Sequence, residues 1–155
     1  MNKLIQRAII ITITGVAMLH TSCTPEACFE ETESFLKGSL YSISTNKIQA
    51  ADSLSLWGLN SESYKVYSKA LRLSRVLFPL DASTGKSSFV IRINGTSDNV
   101  EITYTSYPHL ISKECGYTFY YNIESITFTK NIIDSVHISK YNITTLNEEN
   151  IQIYY

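Results

Sequence analysis

Along most of the chain apolar and polar side chains alternate one by one, with no long stretch of apolar residues at a period of 3.6. A period of two buries one face of a strand. Phe35 to Ser44 reads as a first strand. Asp52 to Leu59 reads as a second, with Leu54, Leu56 and Gly58 on one face and Ser53, Ser55 and Trp57 on the other. Tyr64 to Tyr67 and Arg72 to Leu80 supply two more, with Pro79 suited to a strand end, and Asp81 to Lys86 is a loop. The clearest local pattern is a hairpin. Ser88 to Ile93 and Val100 to Tyr107 both alternate, and between them lies the polar turn Asn94 to Asn99 with its Asn-Gly step. Pro108 ends that strand, Gly116 to Thr129 forms a long one with Asn122 as a bend, and Ile132 to Ser139 follows after a second turn at Lys130-Asn131. The tail Ile151 to Tyr155 is either a last strand or a frayed end.

Strands spaced in this way, with turn chemistry between them, imply an all-β chain: an antiparallel β-sandwich, immunoglobulin-like, of about seven or eight strands. A helix would fall at Ser61 to Leu73, where Tyr64, Tyr67 and Leu71 have helical spacing, but the serines and β-branched residues there weaken it. A transmembrane barrel also alternates, yet spanning takes about 9 to 11 residues per strand and most of these runs are shorter.

The first residues break the pattern. Lys3 and Arg7 precede an apolar run from Ala8 to Leu19, followed by small residues up to Cys23, the order of a secretory signal. The run is too short for a bilayer-crossing helix, which takes about 20 residues. Leu19-His20-Thr21-Ser22-Cys23 resembles a bacterial lipobox, with His20 where the usual Leu stands; ordinary cleavage near Ser22 is the other reading. Residues 1–22 are then a lipoprotein signal peptide, 23–34 an acidic tether and 35–155 one β-sandwich domain. Cys23 would carry the lipid, palmitate included, and stable anchoring takes two or more chains. The implied place is the cell envelope of a Gram-negative bacterium, on the periplasmic side or at the outer-membrane surface, with the lipid membrane as partner through Cys23.

The full chain has 13 basic and 14 acidic residues, and the leader holds Lys3 and Arg7 but no acid. The mature chain therefore keeps an acidic surplus, concentrated in Glu26, Glu30, Glu31 and Glu33, which reads as a solvated tether holding the domain off an anionic surface. No basic patch suits nucleic acid. With Cys23 assigned to lipid, Cys28 and Cys115 remain as a pair in an exported chain, which favours a disulfide. It would close a loop of roughly 90 residues and remove roughly 4–5 kcal/mol of denatured-state freedom in the chain-entropy model. The alternative keeps Cys115 reduced as a nucleophile, with His109 or His137 as base.

Asp52-Ser53-Leu54, Asn94-Gly95 and Glu114-Cys115-Gly116-Tyr117, in this order after a lipobox-like start, resemble an uncharacterised lipoprotein family of the Bacteroidales over Cys28 to about Ser139. The resemblance implies a lipid-anchored β-sandwich facing the periplasm or cell surface and carries no activity. Asp52-Ser53-Leu54 and Asp134-Ser135-Val136 also resemble the O-glycosylation acceptor of that bacterial group, making Ser53 and Ser135 candidate sites. Asn94-Gly95-Thr96 and Asn142-Ile143-Thr144 are formal sequons that read as turn and strand residues in a bacterial chain.

Candidate chemistry is sparse. Glu114 and Glu124 flank Cys115, but spacing alone does not set two carboxylates across a substrate. His109 and His137 have no third donor at ligand-like spacing, so no metal or cofactor is expected. Nothing matches a phosphate loop or nucleophile elbow. The expected function is a non-catalytic envelope module, protein-binding or structural. The alternative is a glycan-binding accessory domain that uses exposed aromatics among its 11 tyrosines and Trp57, with Tyr120-Tyr121 and Tyr154-Tyr155 as candidate platforms.

Overall fold

The computed structural model describes residues 28–155; Cys23, the leader and the start of the tether lie outside the described residues. Every regular element among them is a strand: β1 (Leu36–Tyr41), β2 (Ala51–Gly58), β3 (Lys65–Leu73), β4 (Arg75–Phe78), β5 (Lys86–Ile93), β6 (Thr96–Ser112), β7 (Gly116–Phe128), β8 (Ser135–Ile138), β9 (Asn142–Ile143) and β10 (Ile151–Tyr154). No helix of the described residues is long and apolar enough to cross a membrane. Two sheets pack face to face, one in the order β4-β1-β10-β8 and the other β3-β2-β5-β6-β7-β9. This is the β-sandwich that the alternation implies, with ten strands in place of seven or eight.

Alternation sets the core. Leu36 and Leu40, Val76 and Phe78, and Ile151 and Ile153 point inward from the small sheet. They meet Leu54 and Leu56, Phe89, Ile91 and Ile93, Val100, Ile102 and Tyr104, and Tyr121 and Ile123 from the large one. Gly38 lies on the inward parity of β1, where a Cβ would stand 3.1 Å from Ile151 Cγ1 and 3.3 Å from Phe78 Cε2, so the strands close only over a hydrogen. All pairings are antiparallel except one: β10 runs parallel to β1 and sits between β1 and β8, which makes the tail an interior strand.

Several boundaries differ from the alternation-based expectation. The Asn94-Gly95 step closes the hairpin in two residues, because Ile93 pairs directly with Thr96 and both turn residues have positive φ, 49° and 94°. That is the twist-matching type I′ geometry, so Ser97, Asp98 and Asn99 are strand residues. Pro108 does not end β6, which continues to Ser112. The neighbour β5 ends at the height of Thr103, leaving that side of β6 an open edge, where proline is tolerated. The irregularity in β7 is at Glu124, the extra residue between the pairs Tyr104–Ile123 and Thr103–Ser125, and not at Asn122. Lys130-Asn131 is not a hairpin turn, since β7 and β8 belong to different sheets and the segment crosses between them. Ser61 to Leu73 is a turn followed by β3, an edge strand with register shifts and positive φ at Lys69 and Arg72, and no helix forms there.

Candidate functional site

The feature that stands apart from the sandwich is the far half of the β6–β7 hairpin. These strands pair from Val100–Phe128 out to Ser112–Gly116, whereas β5 stops at Thr103 and β9 touches β7 only at Tyr121 and Asn122. From about Tyr107 to Tyr120 the hairpin is a two-stranded arm. Period two continues onto it, so the parity that buries Tyr104 and Tyr121 brings Pro108, Leu110, Phe119 and Tyr117 onto the same face with no opposing sheet. Leu110 is 47%, Phe119 45% and Tyr117 73% exposed. The other face carries a packed stack, with Tyr120 4.1 Å from the His109 ring and edge-on to Tyr107.

The tip of the arm is covalently joined to the start of the described chain. Cys28 and Cys115 form a disulfide with their α-carbons 4.8 Å apart, within the range that a bridge requires. The residues after Cys28 then run beside β7, where the Thr118 hydroxyl donates to the Thr32 carbonyl at 2.6 Å. Between this segment and the arm lies an open cleft of about 320 Å³ lined by residues that include Phe35, Leu80, Tyr117 and Phe119. The acidic residues Glu30, Glu31 and Glu33 are therefore fastened against the domain on both sides, and the tether expected over 23–34 is free at most as far as Cys28. The bridge also overturns the nucleophile reading of Cys115, whose sulfur is already bonded. His137 is on β8 in the opposite sheet, away from the tip. Glu114 is in the tip turn while Glu124 is at the bulge far down β7, so the two carboxylates do not meet. Among the described residues no group of His, Cys, Asp and Glu is arranged to hold a metal ion.

The aromatic candidates resolve mainly into packing. Trp57 is 6% exposed although it lies on the outer face of β2, because Lys65 and Arg92 each sit 5.3 Å from its ring centre. Ser55, on the same face, is buried with its hydroxyl accepting the Lys69 N–H at 3.0 Å. Of the two tyrosine pairs, Tyr121 is in the core and Tyr120 in the His109 stack, while Tyr154 packs on Tyr41 and bonds Gln152. Tyr64 and Tyr141 stay open to solvent. Of the candidate glycosylation serines, Ser135 is exposed on the edge strand β8, and Ser53 is half-buried in the interior of the large sheet.

Three buried polar groups that spacing alone did not single out hold the connections. Asp98 is 1% exposed, and its carboxylate accepts the N–H groups of Asn131, Ile132 and Ile133 at 2.8–2.9 Å and, at a shorter distance, the Thr129 hydroxyl. Burial would raise its pKa; these hydrogen bonds outweigh it and hold the group below the ordinary aspartate value. The Tyr104 hydroxyl donates to the Asp81 carbonyl at 2.8 Å and accepts the Asp81 N–H at 2.9 Å, pinning the 81–85 loop. Asn150 bridges the Lys37 N–H and the Asn142 carbonyl. The available signal was parity: Asp98 shares that of Val100, Ile102 and Tyr104, so it points into the core.

Together these features define a disulfide-closed β-sandwich with a projecting hairpin arm. The chain belongs to the family of unknown function DUF6452, whose model matches residues 53–155, including Cys115 but beginning after Cys28. The match reaches the C-terminal strand, beyond the Ser139 limit of the resemblance, and begins well after its Cys28 start. Comparison with curated proteins and with solved structures returned no match.

Proposed function

We propose that the chain is an exported, lipid-anchored, non-catalytic module of a Gram-negative cell envelope that works by binding another envelope protein. The observation that carries this reading is the Cys28–Cys115 bridge. Disulfides persist in oxidising compartments, and this one follows by five residues a cysteine with a lipobox-like approach behind a basic and apolar leader. The binding half is supported by the surface around β3. Leu59, Tyr64, Val66 and Leu71 are large apolar side chains between 41% and 85% exposed on β3 and the turn that leads into it. Val66 and Leu71, with Tyr64 just before them, are spread along an edge strand, the kind of unpaired border to which a partner chain can add. β3 is also guarded against indiscriminate pairing, since Lys69 and Arg72 bring positive charge and left-handed backbone to an edge strand.

The test is mass spectrometry of the protein recovered from native membranes, followed by crosslinking through a photoreactive group at Leu71. The expected result is a diacylglycerol-modified Cys23 and a specific crosslinked protein. An unmodified Cys23 defeats the anchoring half, and the absence of a specific partner from native membranes defeats the binding half.

A further inference from the structure

The bridge has a geometric consequence for a chain held at Cys23, and the inference below rests on that reading of Cys23. Cys28 is five residue steps after Cys23. A fully extended chain spans at most about 3.3–3.6 Å per residue, so the two α-carbons lie within about 18 Å of one another. The Cys28 α-carbon is 4.8 Å from that of Cys115, in the turn that closes the β6–β7 arm. Without the bridge, the chain from the anchor would first be held at Thr32, beside β7, roughly 30 Å of extended chain away. With it, the first fixed point is the tip of the arm.

We infer that the β6–β7 arm tip is the membrane-proximal end of the domain and that its open apolar face, Leu110, Tyr117 and Phe119, rests in the lipid interface. These are the side chains that suit such a place: two aromatic rings, one with a polar hydroxyl end, beside an aliphatic group. The arm keeps its backbone paired across β6 and β7 out to Ser112–Gly116, and the interface is wet enough to solvate the outward edges. Exposure of this face follows from the fold, because strand parity carries the core pattern past the end of the opposing sheet. The tip carries Glu114 and, two residues past Cys28, Glu30, against Lys113, while Glu31 lies within electrostatic reach of Lys37 on β1 and Glu33 lines the cleft beside Phe35 and Leu80, so the matching surface is zwitterionic rather than anionic. The contact area is small, and the anchor supplies the local concentration that makes it form.

The full protein, extracted from membranes and reconstituted in phosphatidylcholine vesicles with brominated acyl chains, tests this. In a Tyr117→Trp chain the introduced indole should lose much of its emission to the bromines, whereas the wild-type chain, whose only indole is the covered Trp57, should not change. Leu110→Trp repeats the measurement from the neighbouring strand in case the first substitution disturbs the arm. Joint replacement of Cys28 and Cys115 by serine lengthens the free tether as far as Thr32 and should weaken the quenching. Mass spectrometry of Cys23 on the same sample separates the two ideas. A lipidated Cys23 with both introduced indoles unquenched overturns the docking of the arm and leaves anchoring intact. A Cys23 without lipid overturns the anchoring and the orientation derived from it.

Discussion

Asp98 and Tyr104 show how single polar groups stabilise this sandwich from inside its rim. The Asp98 carboxylate organises the crossover from β7 to β8, and replacing it by asparagine should cost about 2–4 kcal/mol, because the amide has one acceptor oxygen where the carboxylate has two, so either the N–H of Asn131 or those of both Ile132 and Ile133 lose their acceptor, and the rest lose a charged one. Its pH signature has a definite sign. A carboxyl group with a folded pKa below its unfolded value contributes stability that is complete above the unfolded pKa, about 3.9, and is lost as pH falls through the folded value. Glu149 adds to the same acid limb. Burial raises its pKa, and hydrogen bonds from Ser39, Gln152, Tyr41 and Ser139 lower it further than burial raises it. Urea midpoints between pH 2 and 6 should therefore fall more gently for Asp98→Asn than for the wild-type chain, without becoming flat; an unaltered acid limb would mean that Asp98 is not held ionised. Tyr104→Phe removes the hydroxyl that caps Asp81 and contacts Ser87, and should lower stability by about 1–2 kcal/mol at constant m-value. Neither role was legible from composition. Parity alone marks both residues as inward-facing, and their partners, separated by 23 to 35 residues, exist only once the chain is folded.

At the level of elements, local chemistry and neighbours divide the control. Asn94-Gly95 sets the hairpin because two consecutive positive-φ residues are a local property, and the alternating runs on either side pair as their pattern requires. The length of β6 is not local. Pro108 looks like a terminator in sequence, yet the strand continues because β5 has already ended beside it. In β2, Ser55 and Trp57 occupy the parity expected to face solvent and are buried, since Lys65, Lys69 and Arg92 from the adjoining strands cover them. The close approach of β1, β4 and β10 depends on Gly38. Gly38→Ala places a methyl group against Ile151 and Phe78 in a packed core and should destabilise the domain by about 1–3 kcal/mol in thermal melting. A change too small to resolve would mean that the Ile151 side chain can move aside.

For the molecule as a whole, two long-range ties join the chain's beginning to its later parts. The disulfide spans 87 residues. Cys115→Ser should lower the melting temperature markedly, since the lost constraint on the unfolded chain corresponds to roughly 4–5 kcal/mol in the chain-entropy model; an unchanged temperature would mean the bridge is idle. The second tie is β10. Ending the chain after Asn150 removes Ile151 and Ile153 from the core and leaves β1 and β8 without their shared neighbour, so the truncated protein should fail to fold cooperatively, as measured by the loss of a sigmoidal denaturant transition. The sequence by itself determined the all-β class, the inward parity of most strands and the Asn-Gly turn, because each depends on side-chain period or local backbone preference, whereas it pointed to Cys28 and Cys115 as a pair only with Cys23 assigned to lipid. Tertiary structure alone decided that β10 lies parallel to β1 inside a sheet, that Asp98 clamps the crossover, and that the β6–β7 arm outruns its neighbours. Those outcomes depend on where each strand ends relative to strands distant in sequence, which no local pattern encodes.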